Sequence, residues 1–561
     1  MISFRKISAA STGKLIRAYL SEGTALDDPG RGLAMYYAGR DPRASWRPDM
    51  APAVMRALGI DPTQALDNEA LEGLFEAKRA DTGEAWTQHK RSISAYDLTA
   101  SPDKSVTLAI EFARDDAEKA ALILAVWRAN DDAMRYIAGE IGWARRGDGG
   151  KHGAEPGDVG WASFMHFTAR PTLAVQDGPD GQTYVMDVPV PGDPQTHIHN
   201  ALFNMVVTAD GHIGSLDTAA MHDRMHEFDG FFQARLADEL RALGIAVSYN
   251  KGDLAAVVSC VPEFARDAFS KGHKATVRKA KDYAQRHGLD WDALPAERKF
   301  SLLGTTAQNT RLEKFDGKSD RELWREHAEC IGWQHTTAIT GEATPKLTRE
   351  QRIEQAARFA IRHIEKEFAT VAVLNLGVLR MWAARGLIGT GLSGAGLSGT
   401  EDINTVMREV EARGVTLNGE QAGLIIGEIA APMRDDEPGQ ARMRTRVTNT
   451  VQVRIERELT ELSEAAAADR SGALSEAAVE HAVAASGIVL PKRPGDRPGA
   501  ACGRARLRHR RWPGVPGRGS RGGQDQPRAA AGGRGLESRR AARDRPEPGL
   551  APGGRVAGRR H

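Results

Sequence analysis

Three histidines and one tyrosine have the types and spacing to do chemistry in this chain of 561 residues. His197 and His199 lie in Gly192-Asp-Pro-Gln-Thr-His-Ile-His-Asn-Ala-Leu-Phe-Asn204, and His166 lies in Trp161-Ala-Ser-Phe-Met-His-Phe-Thr-Ala-Arg170. Side chains alternate along a strand, so histidines two apart point to the same side. Two such imidazoles, joined by a third from a neighbouring strand, leave positions open on a divalent cation. Open positions allow a phosphate oxygen to be polarised and oriented. Solvent or ordinary hydrogen bonds also satisfy histidines of this kind, so the pair alone leaves both readings standing. Tyr19 is the tyrosine nearest the N-terminus, with Tyr36 and Tyr37 following. A phenolate attacking a phosphodiester stores the bond energy as a phosphotyrosine, which permits later rejoining. Tyr19 can equally be a core aromatic, since it shares a helix face with Leu15 and Ile16.

Asp97 sits in the extended run Ser94-Ala-Tyr-Asp-Leu-Thr-Ala-Ser-Pro-Asp-Lys-Ser-Val106. A carboxylate there can accept the outer ring N–H of a ligand histidine and fix its tautomer. It can also take the proton from an attacking hydroxyl, or merely cap a turn.

These residues must be held by a mixed α and β domain spanning residues 1 to about 340. A helix is predicted over Thr12–Leu20, with Ser11 or Thr12 as N-cap and Gly23 just past its end. Strands are predicted at Ser92–Leu98, Val106–Phe112, Ala162–Thr168, Tyr184–Val190 and Ile198–Thr208, from their β-branched and aromatic content. Helices are expected over Asp115–Gly139 and Met225–Leu243. In the second, Phe228, Phe231, Phe232, Leu236 and Leu240 have the spacing of one buried face. Asp177-Gly-Pro-Asp-Gly181 reads as the turn of a hairpin. From about 345 to 490 the pattern is mainly helical, opened by a capping box at Thr348-Arg-Glu-Gln351 into a helix ending near Phe368. A Gly-rich stretch, 386–399, separates it from further helices. This region reads as a helical accessory domain.

Composition narrows the class. Three scattered cysteines, Cys260, Cys330 and Cys502, form neither a CxxC pair nor a disulfide framework, which fits a reducing, cytoplasmic setting. No apolar run has membrane-spanning length, so no membrane insertion is expected. The net charge of +2 conceals an asymmetry: after residue 490 there are nineteen Lys+Arg against five Asp+Glu, and before it 57 against 69. The folded part is therefore not a broadly basic binder, and any DNA contact there needs a local basic groove.

At this point the chain resembles the MobF-type conjugative relaxases, the TrwC/TraI-like branch of the HUH endonucleases. The matching blocks are Tyr19 with Tyr36-Tyr37 before Gly39 and Trp46, then Tyr96-Asp-Leu-Thr-Ala-Ser-Pro-Asp-Lys-Ser-Val106, Phe164-Met-His-Phe-Thr-Ala-Arg170 and Gly192-Asp-Pro-Gln-Thr-His-Ile-His199. A helix like Phe228-Asp-Gly-Phe-Phe-Gln-Ala-Arg-Leu-Ala-Asp-Glu-Leu240 follows them. The resemblance covers roughly residues 1 to 340. It implies an α+β relaxase fold with a central antiparallel sheet flanked by helices and a mobile C-terminal clamp over the DNA. It implies His166, His197 and His199 as ligands of magnesium or manganese, Asp97 as the acid bonded to that cluster, Tyr19 as first nucleophile, and Tyr36 or Tyr37 as the second. The implied reaction is nicking and rejoining of single-stranded DNA at a transfer-origin hairpin through a 5′-phosphotyrosine. Implied partners are relaxosome accessory proteins and a type IV secretion coupling protein. Two departures stand out: Tyr19 is followed by Leu20 where the family commonly pairs tyrosines, and residues 171–191 open the gap before the HxH block. A rolling-circle replication initiator or HUH transposase would share the chemistry, and a degenerate DNA-binding remnant would lack it.

Residues 491–561 are dominated by Gly, Arg, Pro and Ala and cannot bury a core. One reading is a disordered basic arm. The other starts from Arg518-Gly-Ser-Arg-Gly-Gly-Gln-Asp-Gln526, which can be encoded so that a one-base shift yields the P-loop pattern GxxxxGK[ST]. A frameshift near 490–505 would then have replaced an ATP-binding helicase. Reading the codons decides it: they are expected to give Gly-Lys-Thr in the shifted frame, and any others sink the idea.

Overall fold

The period-two runs around the histidines pair into one antiparallel sheet. In this computed structural model the described residues are 2–21, 45–46, 50–61, 68–87, 91–146, 153–168, 173–176, 183–186, 193–250, 255–270, 284–291, 320–341, 347–390, 400–432 and 441–469, plus a few single positions. The sheet begins with β1 (Ile2–Ser8), β2 (Ser45–Trp46), β3 (Ile93–Ala100), β4 (Trp143–Arg145) and β5 (Ala154–Thr168). A separate hairpin, β6 (Leu173–Gln176) with β7 (Thr183–Met186), follows, and its expected turn lies outside the described residues. The long β8 (Pro194–Thr208) and short β9 (Ile213–Gly214) complete the sheet. Its order is β1-β3-β8-β5-β2, with β4 on β5 and β9 on β8.

The two faces of the sheet bury different cores. On one side α1 (Gly13–Ser21), α2 (Pro52–Leu58) and α3 (Asn68–Phe75) cover Ala95, Ala162, Phe164, Ala201 and Phe203. On the other, α4 (Lys104–Glu111), α5 (Asp116–Ile141) and α6 (Ala219–Ala242) cover Leu98, Met165, Ile198, Leu202 and Val206. Odd and even positions of β8 thus serve separate cores, as strand alternation requires. Gly160 lies where the β5–β8 register shifts, between Val159 and Trp161. A Cβ there would come within 2.8 Å of Val54 and 3.0 Å of Leu58, so glycine lets α2 sit down on the bend.

Two expectations are corrected. Val106–Phe112 is not a strand: it belongs to α4, whose N-cap Asp103 accepts from the Ser105 N–H at 2.8 Å. Residues Ser105–Glu111 are all buried, and a short apolar run buried all round has no periodicity to tell helix from strand. Nor does α6 show one buried face, since it is buried on all sides from Glu227 to Arg241.

The stretch after 340 explains that burial. Beyond the short hairpin β10 (Val247–Asn250)–β11 (Ala255–Val258), α7 (Glu263–Ala268) and α8 (Asp320–Cys330), the chain forms α9 (Arg349–Phe368) and α10 (Leu376–Ile388). Both belong to the same core as α6. Their arginines neutralise its buried acids: Arg352 forks onto Asp238 at 2.7 and 2.8 Å, Arg385 meets Asp229 at 2.6 Å and Arg380 meets Glu227 at 2.7 Å. Burial alone would raise the Glu227 carboxyl, but the hydrogen bonds from Arg224, with the charges of Arg224 and Arg380, hold it below the usual range. The capping box at Thr348 is formed as expected, with Gln351.

After α11 (Thr400–Arg413) the chain is not only helical. A tight hairpin, β13 (Val415–Leu417)–β14 (Glu420–Ala422), precedes β15 (Leu424–Pro432) and β16 (Ala441–Asn449), which pair with each other, β16 also pairing with the short β12 (Leu374–Asn375). Residues 1–455 form one compact unit, and 456–561 form a second, described over the remainder of α12 (Thr450–Ala468) and single positions. No helix among the described residues is long and apolar enough to cross a membrane.

Arg352→Met leaves Asp238 in the interior without its main partner. It is expected to destabilise the protein by about 3–5 kcal/mol, read as a lower midpoint in urea unfolding. A midpoint equal to the parent's would mean that Asp238 is not held by this pair.

Candidate metal and phosphoryl-transfer site

The strand registers bring the sequence-selected histidines together. His166 on β5 stands directly opposite His197 on β8, and Thr99 on β3 stands opposite His199. Opposed residues of an antiparallel pair share a face, so all these side chains lie on the side of the smaller core. The three rings are mutual neighbours, with centroids 4.6–5.1 Å apart. One ligand nitrogen from each lies within 4.8 Å of the others.

Partners set the tautomers of two of them. His199 donates from Nδ1 to Asp97, 2.9 Å from Oδ1 and 2.8 Å from Oδ2. Asp97 is almost fully buried at 1% exposure, and the Thr99 hydroxyl donates to its Oδ1 at 3.3 Å. His197 donates from Nδ1 to the Gln195 carbonyl at 2.8 Å. In both, the proton on Nδ1 leaves Nε2 with a lone pair, the state a metal ligand requires. The donor set of three clustered imidazoles therefore fits a divalent cation. Both Asp97 oxygens lie within hydrogen-bond reach of His199 Nδ1, so the carboxylate orients that ring.

His166 is held differently. Its Nε2–H donates to the Leu20 carbonyl at 2.6 Å, so helix α1 touches the cluster one residue beyond Tyr19. That helix is fixed at its start as well. Thr12 is the cap, with its hydroxyl accepting from the Leu15 N–H at 3.3 Å. Gly13 is pressed against α3, where a Cβ would stand 2.1 Å from the Glu72 carbonyl oxygen. Its N–H donates to Glu76 at 2.9 Å, and Arg17 pairs with Glu72 at 2.7 Å. The Lys78 ammonium, then the Gly13 N–H, keep the Glu76 carboxyl below its ordinary value. Tyr19 lies in α1, where Gly13, Ile16 and Leu20 are buried and Leu15 is exposed. Tyr36, Tyr37 and Gly23 lie outside the described residues.

Several supporting groups escaped the sequence reading. Lys104 donates to the Pro194 carbonyl at 2.5 Å, and the Thr196 N–H donates to the Thr107 hydroxyl at 3.1 Å. Both tie α4 to the start of the strand that bears His197. Burial lowers the Lys104 ammonium to about 8, against the opposing pull of Asp193 and Asp103. Behind His199, on the opposite face, Asn200 exchanges hydrogen bonds with Asn130 at 2.8 and 3.1 Å and accepts from Ser163 at 2.7 Å. Polar residues at inward positions of otherwise apolar runs were the available signal.

A family model for the TrwC relaxase matches residues 14–331. Among solved structures, the conjugative relaxase TrwC in complex with oriT DNA, in a metal-free form, is 20% identical over 60% of this chain and 100% of that one, with a TM-score of 0.42. TrwC complexed with a 27-mer DNA comprising the recognition hairpin and the cleavage site is 20% identical over 60% of this chain and 99% of that one, with a TM-score of 0.41. No match was found among curated proteins.

Removing the carboxylate that orients His199 tests the cluster directly. Asp97→Ala is expected to weaken Mn²⁺ binding, measured by titration calorimetry, by about 10–100-fold. An unchanged Kd would show that His199 is not a ligand.

Proposed function

The chain belongs to the TrwC relaxase family, and from that membership we propose that it nicks and rejoins single-stranded DNA at a transfer origin, with Tyr19 as nucleophile and His166, His197 and His199 as the metal site. The observation that carries this reading is the contact between the cluster and α1. The helix that bears Tyr19 accepts, at its Leu20 carbonyl, the hydrogen bond from His166, so the proposed nucleophile and the proposed ligands share one anchor.

A bound divalent cation, magnesium or manganese, would supply positive charge to the scissile phosphate. His197 and His199 would present Nε2 to it, their tautomers held by Gln195 and Asp97. In the His166 ring the proton held on Nε2 by the Leu20 carbonyl would leave Nδ1 with the lone pair to join them, so that this ligand would be oriented by α1. In the reaction the Tyr19 phenolic oxygen forms a bond to phosphorus while the bond from phosphorus to the 3′ oxygen breaks. The phenolic proton leaves to solvent, and the departing oxygen is protonated to a free 3′-hydroxyl. The 5′-phosphotyrosine keeps the energy of the broken bond, so attack by a 3′-hydroxyl reverses the step and closes the strand. Tyr36 or Tyr37 would serve a second such attack late in transfer.

The test uses the full chain and a labelled transfer-origin oligonucleotide. The parent is expected to form a covalent complex that EDTA prevents. Tyr19→Phe is expected to form none while binding the oligonucleotide with unchanged affinity. An adduct that persists in Tyr19→Phe would move the nucleophile elsewhere.

A further inference from the structure

A second groove lies away from the histidines, between α9, β10, the tip of the β13–β14 hairpin and the first turn of α12. Its volume is about 1010 Å³. One wall is aromatic. Tyr249 meets Phe359 edge-on at 5.2 Å, Phe359 lies 4.2 Å from His363, and His363 stacks on the buried Trp382 at 4.3 Å and 24°. Phe359 and His363 are one turn apart on α9 and only partly buried, so their rings border the open space.

The other component is charge. Arg362 and Lys366, again one turn apart on the same helix, line the groove and are exposed. Among the described residues neither is paired with a carboxylate. Of the acids on these elements, Glu365, which also lines the groove, accepts from the Thr416 N–H at 2.7 Å, Glu420 holds Arg454 at 2.6 Å, and Glu354 holds Arg358 at 2.6 Å and also Arg413. Burial lowers the His363 imidazole below its ordinary value, and the charges of Lys366 and Arg362 add to this against the hydrogen bond to the Phe359 carbonyl. The groove therefore offers flat apolar rings beside two free cations, the pairing that holds single-stranded nucleic acid by stacking bases and tracking phosphates.

We propose that this groove, formed by Phe359, Arg362, His363 and Lys366 with Tyr249, is a second contact for single-stranded DNA, sequence-tolerant and separate from the histidine site. The assignment rests on the reading of the chain as a handler of single-stranded DNA. An open groove with its cations on the rim suits a passing strand better than an enclosed free nucleotide. It would retain strand held outside the cleavage site, where no base need be recognised.

The experiment uses the full chain and an oligothymidylate unrelated to any transfer origin, followed by fluorescence anisotropy. The double variant Arg362→Glu with Lys366→Glu is expected to weaken binding by about tenfold or more at low salt. Its thermal midpoint and its covalent complex with a transfer-origin oligonucleotide should match the parent's. Iodouridine photocrosslinking of the parent is expected to label the peptide carrying Phe359 and His363. An affinity within about twofold of the parent's, or crosslinks that label neither α9 nor Tyr249, overturns the proposal. So does displacement by free thymidine monophosphate at the same concentration as the oligonucleotide, which would mark a mononucleotide site. A parent that binds oligothymidylate through this groove yet forms no covalent complex would defeat the cleavage reading and leave this one standing.

Discussion

The pairing of β5 with β8 is the constraint on which the site depends. Its register sets His166 against His197, and the neighbouring β3–β8 register sets Thr99, and diagonally Asp97, against His199. A slip of one residue in either pair would turn the histidines to the opposite core. The other face guards against that slip. Ser163, Asn200 and Asn130 are buried and bonded to one another, so a shifted strand would strand their polar groups without partners. Asn200 also donates to the Leu98 carbonyl at 3.0 Å, which extends the lock to the strand of Asp97.

Support for Asp97 reaches further than the sheet. β3 is flanked by β1, where Arg5 lies opposite Asp97. The first residue of β1, Ile2, donates its N–H to Asp229 of α6 at 3.0 Å, and Asp229 in turn holds Arg385 of α10. A buried carboxylate is tolerated only when paired and hydrogen-bonded, and Asp229 has both kinds of partner. The helices beyond residue 340 thus underpin the edge of the histidine-bearing sheet through a run of buried charges.

This arrangement also explains what was and was not legible in the residues. The histidine face followed from alternation alone, and the Thr348 capping box from local chemistry, because neither needs tertiary information. The burial of α6 was hidden because its second buried face is polar. Glu227, Asp229 and Asp238 look like solvent-facing acids until Arg380, Arg385 and Arg352, more than a hundred residues later, come to meet them. α4 shows no legible period because Val106–Ile110 is apolar but for Thr107 and buried throughout, so the decisive feature is the Asp103 cap. Lys104 reads as a surface charge, yet it closes the start of β8. The tyrosine assignment drew on resemblance, since helix spacing alone leaves Tyr19 among ordinary aromatics.

The position of α1 shows how a loosely patterned helix becomes a precise one. Nine residues hold little stability alone, and a helix of this length forms only when packing completes it. Two contacts do so at opposite ends. Gly13 lets the first turn press onto the Glu72 backbone, which a side chain of any size would prevent. Leu20 then fixes the last turn, by its fully buried side chain and by the carbonyl that accepts from His166. The backbone of Tyr19 is thereby bracketed between a steric stop and a hydrogen bond to the cluster. Precision in such sites comes from groups whose own positions are locked by packing and outer hydrogen bonds. Neither bracket is itself a reactive group. A glycine and a main-chain carbonyl set where the tyrosine stands, and neither carries a side-chain signal that spacing rules could detect.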